Sequence, residues 1–420
     1  MASTKRRLGE KMQKQDAKFS ELTTHIYRNI GPRPKIRSKH QEFREQLLDC
    51  RSHYLAIQKK IKEATISNRD HFVDYMSIHV AKTLSILDTL DARVQLQTVR
   101  PYHCQENFTL QLQAAGMSPR DLDHAVEEHH KNVEAYFSME DLDLPEAFVQ
   151  ANERTLYEDI ARKHKTQLDE LASRIFRRSI HTKLDVNVKE QNPHQWLGWV
   201  NIGYENRLPK LVATIAHEGP FGHQTHQTLS EDYIFNNNSF TLTLEGLAVL
   251  GETIALNQYF GGNEQAQAIS QFEHISRRIN DSLYAAIAKL AYFERKSASE
   301  MAEILKSDYY PEKFLENGLA NFDNDRLRMF TQPSSVSYFV GFNKINGIYQ
   351  KAKNCIMNNP KIKNEDEQRL YYSNLLKTMY RGIRTPEVMN MEVDLFLKRS
   401  HLDNCKAPEP PSTYEKDLKA

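Results

Sequence analysis

Few residues in this chain interrupt regular structure, and several familiar signals are missing. Only 15 of its 420 residues are glycine and 15 are proline, which speaks against collagen-like, low-complexity and turn-dense all-β architectures. The four cysteines, Cys50, Cys104, Cys355 and Cys405, form no CxxC pair, which removes a zinc knuckle. They are also too few for a disulfide framework, so free buried thiols in a reducing compartment are expected. No run approaches the roughly 18 apolar residues of a transmembrane span. The stretch from Met1 to Lys18 is charged and has no apolar centre, so it does not read as a Sec-type signal peptide. Cytoplasm is the expected location, with export by a route needing no such peptide as the alternative. Charge of one sign is lacking too: 56 Lys and Arg stand against 55 Asp and Glu. No overall field therefore draws the chain to nucleic acid or an anionic membrane, and neither is an expected partner. No GxxxxGK[ST] or GxGxxG loop offers a seat for a nucleotide.

What is present is abundant Leu, Glu, Gln, Lys and Ala, all good helix formers, and the expected fold class is mostly α. Apolar residues recur at helical spacing from Gln41 to about Ile66 and from His71 to Leu96. Ser118-Pro119 looks like an N-cap with proline in the first turn of a helix running to about Phe137. A further helical pattern spans roughly Pro145 to Phe176. Residues 1–40, basic and polar, read as a solvated arm that only partly packs, and the Pro-rich tail 406–420 reads as disordered. Phe108-Thr109-Leu110-Gln111-Leu112 alternates and suggests a short strand. Leu184 to Val188 and Trp196 to Ile202 also suit strands, with a sheet edge on which an extended peptide could pair. The organisation expected is the arm, a helical N-terminal part over 41–179, a metal-binding part over 180–405 and the tail.

The densest chemistry lies in Ala216-His217-Glu218-Gly219-Pro220-Phe221-Gly222-His223-Gln224-Thr225-His226 and in Leu244 to Glu252. Imidazoles and carboxylates are the ligands of catalytic zinc, which typically keeps three protein ligands and one open position. His217 and His223 are six apart, about 120° around a regular helix, too far to share an ion. Pro220 between two glycines breaks a helix, and a kink there could swing His223 back toward His217. His226, at i+3 from His223, is a rival second ligand. Glu218 points away from His217 and suits a base acting on water. Glu245, on an apolar helix, is a costly charge to bury without a partner such as a metal. Glu252 lies about 10 Å further along that helix, so one ion cannot take both carboxylates. It suits a group that orients a ligand histidine or pairs with an arginine, for which Arg277 and Arg278 are candidates. His124, His129 and His130, among acidic neighbours, read as a solvated helix face.

These residues also resemble a family. The pattern His-Glu-x-x-Pro-Gly-His-His followed by Glu-Gly-Trp-Ala-x-Tyr-x-Glu marks the bacterial domain of unknown function 885 proteins, which are similar to gluzincin zinc metallopeptidases. Here it reads His217-Glu218-Gly219-Pro220-Phe221-Gly222-His223-Gln224 and Glu245-Gly246-Leu247-Ala248-Val249-Leu250-Gly251-Glu252. The motif proline is shifted, Gln224 replaces the second of the paired histidines, and Leu247 and Leu250 replace the Trp and Tyr. Weaker similarity runs through Arg277 to Asp281, Tyr338 to Gly341 and Tyr380 to Gly382. The resemblance implies His217, His223 and Glu245 as zinc ligands, Glu218 as base and Tyr338 as an oxyanion donor. It also implies a helical gluzincin-like fold with a small β-sheet beside a deep cleft.

The expected function is a zinc-dependent hydrolase of peptide or amide bonds, with a peptide or small amide as its substrate. The same donor set also fits a non-haem iron enzyme with a two-histidine, one-carboxylate site. A non-catalytic helical binding protein with a structural metal is the remaining alternative.

Overall fold

The computed structural model describes residues 2–29, 39–65, 71–99, 105–140, 154–186, 194–196, 199–202, 208–230, 240–261, 264–306 and 334–403. The fold is mostly helical. The first helix, α1 (Ala2–Asn29), corrects the expectation of a solvated arm. Leu8, Met12, Phe19, Leu22 and Ile26 recur every three to seven residues and are buried. Polar residues between them hide the stripe from inspection, yet it seals a core with Phe43, Leu47, Tyr54, Ile57 and Ile61 of α2 (His40–Thr65). The same core takes Val73, Met76, Val80 and Leu87 of α3 (His71–Val99). Asp16, fully buried on α1, is held by Tyr54, whose hydroxyl donates to it, and by His79 Nε2 at 3.0 Å. A buried carboxylate with two partners makes that docking specific, because any other seating leaves it unpaired.

Two further expectations change. Phe108 to Leu112 belongs to a helix, α4 (Gln105–Ala114), not a strand. The buried residues Phe108, Gln111, Leu112 and Ala115 follow helical spacing and set the conformation. After Ser118 the chain makes a short 3-10 turn, Pro119–Leu122, before α5 (Ala125–Glu140) begins. The carboxylate of Asp121 accepts from the backbone N–H of Ser118 at 2.8 Å and anchors that turn.

The next helix is α6 (Arg154–Phe176). Three short strands follow, β1 (Leu184–Val186), β2 (His194–Trp196) and β3 (Trp199–Ile202), in the order β1-β3-β2. The hairpin lies between β2 and β3, with Trp196 opposite Trp199, while β1 runs parallel to β3. The helices that follow are α7 (Leu208–Glu218), α8 (His223–Ser230), α9 (Thr241–Tyr259), α10 (Glu264–Ala288) and α11 (Ala298–Leu305). The last are α12 (Ser334–Met357), α13 (Glu365–Tyr380) and α14 (Pro386–Arg399). Pro386 occupies the first turn of α14 behind the N-cap Thr385.

Phe176 of α6, Leu211 and Ile215 of α7, Leu250 of α9, Tyr349 of α12 and Tyr380 of α13 share one core. That core crosses the 179/180 boundary. The helices α9 and α12 touch backbone to backbone: a Cβ on Gly246 would sit 2.5 Å from the Gly341 carbonyl, and one on Gly341 2.3 Å from the Leu242 oxygen. Only glycine fits on either side, and this contact brings Tyr338 up to Glu245.

Cys50 is a free, buried thiol. Cys355, by contrast, is disulfide-bonded and departs from the expectation of free thiols throughout. Residues 31–32 and 231–238, Cys104 and the tail from 406 lie outside the described residues. No helix among the described residues is long and apolar enough to cross a membrane.

Candidate metal centre

The break expected at Pro220 is present. The last turn of α7 closes with Gly219 N–H on the Ile215 oxygen at 2.9 Å, and Pro220, having no N–H, cannot continue it. Thr225 then donates its hydroxyl to the Pro220 oxygen at 2.6 Å, which ties the start of α8 back onto the turn. At Gly222 a Cβ would lie 1.5 Å from the His217 carbonyl oxygen, so the chain can fold back this tightly only with glycine there. The consequence is that His217 and His223 come together, their rings 4.9 Å apart and perpendicular.

Glu245 reaches both from α9. Its Oε2 lies 3.4 Å from His217 Nε2 and 3.6 Å from His223 Nε2. Ligand atoms about 2.1 Å from a tetrahedral ion stand about 3.4 Å from one another, so the spacing fits a zinc-sized ion at their centre. The potential ligand atoms of all three residues lie within 4.8 Å of one another, and this is the one such His/Cys/Asp/Glu group among the described residues. Glu245 Oε2 is buried and accepts no hydrogen bond of ordinary geometry. A carboxylate oxygen left this way is costly unless a cation meets it.

The surroundings orient the cluster. Glu252 approaches His217 Nδ1 at 2.5 Å, and Arg277 clamps Glu252 through Nε at 2.6 Å and Nη2 at 3.0 Å. Both contacts weighed for Glu252 are therefore made by one carboxylate. Its Oε1 accepts from Nδ1, leaving the His217 Nε2 lone pair free for a metal. Burial opposes ionisation of Glu252, but Arg277 and His217 outweigh it and hold the carboxyl below its usual range. Burial likewise opposes charge on His217, yet Glu245 and Glu252 raise its pKa to about 10. This pocket is built to hold a positive charge, and a divalent ion would displace that proton.

Tyr338 of α12 lies over the site, its ring 5.8 Å from that of His217. The charge of Glu245, and then burial, push the phenol well above its ordinary pKa, so it stays a donor. Glu218 is 8% exposed, and its charge acts on both His217 and Tyr338.

His226 is left out of the cluster. It is fully buried, its ring 4.7 Å from that of Tyr380, and burial keeps it neutral. His129 is buried rather than part of a solvated face, with Nδ1 3.3 Å from Ser282 Oγ, while His124 is exposed. One contributor was not foreseen. The Gln224 side chain bonds both the N–H and the C=O of Lys183 at 3.0 Å and fastens the segment leading to β1 onto the turn at Pro220. The only signal for it was that Gln224 stands where the resembled motif has histidine.

These features define a helical protein with, among its described residues, one two-histidine, one-carboxylate cluster. No protein-family model matches the chain, and no curated protein does. Among solved structures, it is similar to the "putative lipoprotein" of Colwellia psychrerythraea, with a TM-score of 0.54 and 12% identity, over 86% of this chain and 70% of that one. A "putative lipoprotein of unknown function" from Shewanella oneidensis gives a TM-score of 0.45 at 14% identity, over 84% of this chain and 72% of that one. At 12% identity the first likeness shows a shared fold and carries no activity with it.

Proposed function

We propose that the protein is a metal-dependent hydrolase of peptide or amide bonds, with zinc as the metal. The observation that carries this reading is the convergence of His217, His223 and Glu245, with Glu245 Oε2 3.4 Å and 3.6 Å from the two imidazole Nε2 atoms and all three ligand atoms within 4.8 Å of one another. The helical fold, the adjacent base and the overhanging phenol are consistent with the gluzincin-like architecture that the motif pair resembles. An ion held by those three residues would supply Lewis-acid polarisation of a carbonyl and acidify a water.

The rest of the chemistry belongs to the chain. Glu218, buried next to His217, takes the proton from the attacking water and passes it to the leaving nitrogen. Tyr338 donates a hydrogen bond to the carbonyl oxygen as charge builds on it. Glu252 and Arg277 hold His217 in the tautomer that keeps Nε2 available. Among the described residues the two outer strands, β1 and β2, each have one unpaired edge, on which an extended peptide would add its own backbone. A Glu218→Gln protein is expected to bind zinc normally and to lose about 10²- to 10⁴-fold in turnover of a peptide library. Full activity in that variant contradicts the mechanism.

A further inference from the structure

Away from the metal centre, an open groove of about 1110 Å³ runs along the C-terminal end of α6. Lys165, Arg174, Arg177, Arg178 and His181 line it, with Asp169 and Glu170 as its carboxylates. Asp169 is already occupied: Lys165 lies 2.9 Å away, and the Thr182 hydroxyl and N–H both donate to it. The three arginines form no ion pair among the described residues. Nor do Lys377 on α13 and Arg381 just after it. The Lys377 ammonium is pushed down, first by burial and then by Arg177, Arg178 and Arg381. In a chain with a formal net charge of only +1, five cations without an ion pair among the described residues, with Glu170 as the one other carboxylate lining the groove, are an uneven distribution. Like charges repel when nothing lies between them.

Backbone strain is added to this repulsion. Arg177, the first residue after α6, lies in the left-handed region at φ 46°, with the Arg178 N–H on the Ser173 oxygen at 3.2 Å. Glycine takes that position at helix ends because a Cβ is disfavoured there. An arginine held in the left-handed region works against stability, and such choices gather at binding sites.

We propose that this groove binds a multiply charged phosphate ligand, with Arg174, Arg177 and Arg178 as its principal contacts. Guanidinium groups match phosphate oxygens two at a time, which favours phosphate over a string of carboxylates. The phosphates could come from a soluble polyphosphorylated molecule or from a phosphorylated lipid headgroup. The chemistry is shared, and the test separates the sources.

Calorimetric titration of the full chain with inorganic tripolyphosphate, and flotation with vesicles containing phosphatidylinositol bisphosphate, are the two arms. Binding of tripolyphosphate supports a soluble ligand, and binding to vesicles alone assigns a headgroup. In either case Arg178→Gln should weaken binding roughly tenfold or more. Arg177→Gly should weaken it similarly while raising the melting temperature, because it relieves the left-handed residue. Binding in neither arm at low salt overturns the proposal. So does unchanged affinity in both variants, or tighter binding of oligoglutamate than of tripolyphosphate.

Discussion

Replacing Glu252 by glutamine separates what this carboxylate does for the metal from what it does for the fold. Glu252 is 3% exposed and has two cationic partners, Arg277 at 2.6 Å and His217 at 2.5 Å. Glutamine keeps the volume but removes the charge and turns an amide N–H₂ toward one of two donors. Removing one side of a fully buried pair costs about 3–5 kcal/mol, because the other charge stays behind. The Arg277 side chain is 24% exposed, so water answers part of its charge and the lower end, about 3 kcal/mol, applies. The effect on metal is different in kind. Loss of a group that orients a ligand histidine typically costs about 10- to 100-fold in metal affinity. Urea unfolding with chelator present reads the first quantity, and zinc competition against a chromophoric chelator reads the second. Adding Arg277→Met removes the stranded charge, so the double variant should regain most of the stability while its zinc affinity stays low. Zinc affinity of Glu252→Gln within about threefold of wild type, or recovery of both readouts together, refutes the orienting role.

Three further outcomes follow from the same geometry. Gly222→Ala places a methyl 1.5 Å from the His217 oxygen; it should cost at least about 3 kcal/mol by urea unfolding and abolish zinc binding. Tyr338→Phe should keep zinc affinity and lower kcat about 10²- to 10³-fold, with KM little changed, in steady-state peptide hydrolysis. Burial lowers the pKa of His129 to about 4, and burial followed by Arg278 lowers that of His274 to about 3. The unfolded chain takes up these protons near pH 6.5, so the stability involved is fully present above that value and is lost as pH falls toward 4. Each histidine contributes a slope of up to about 1.4 kcal/mol per pH unit, read from urea midpoints; His129→Gln should flatten the profile.

The site was more legible than the frame around it, for a physical reason. Helix breakers act locally, so Gly219, Pro220 and Gly222 announce a reversal within a few residues, and the odd spacing of His217 and His223 makes sense only with it. A carboxylate on an apolar helix likewise calls for a partner, which is how Glu245 and Glu252 stood out. Tyr338 could be named only through resemblance, because its approach depends on Gly246 meeting Gly341 nearly a hundred positions apart. The burial of α1 was missed because Leu8, Met12, Phe19 and Ile26 are diluted by Lys, Arg and Gln, and because Asp16 finds its partners on two other helices. Phe108 to Leu112 misled for a similar reason: five alternating residues fit both periods, and the distant core of Tyr292 and Leu305 selects the helical one.

The central claim is that His217, His223 and Glu245 hold one metal ion. Protein purified without added metal, equilibrated with zinc, desalted and measured by elemental analysis tests it most directly. About one zinc per chain is predicted for the wild type, and essentially none for His223→Ala or Glu245→Ala variants whose helical circular dichroism is unchanged. Wild-type protein that retains no zinc, or variants that retain it in full, would contradict the account.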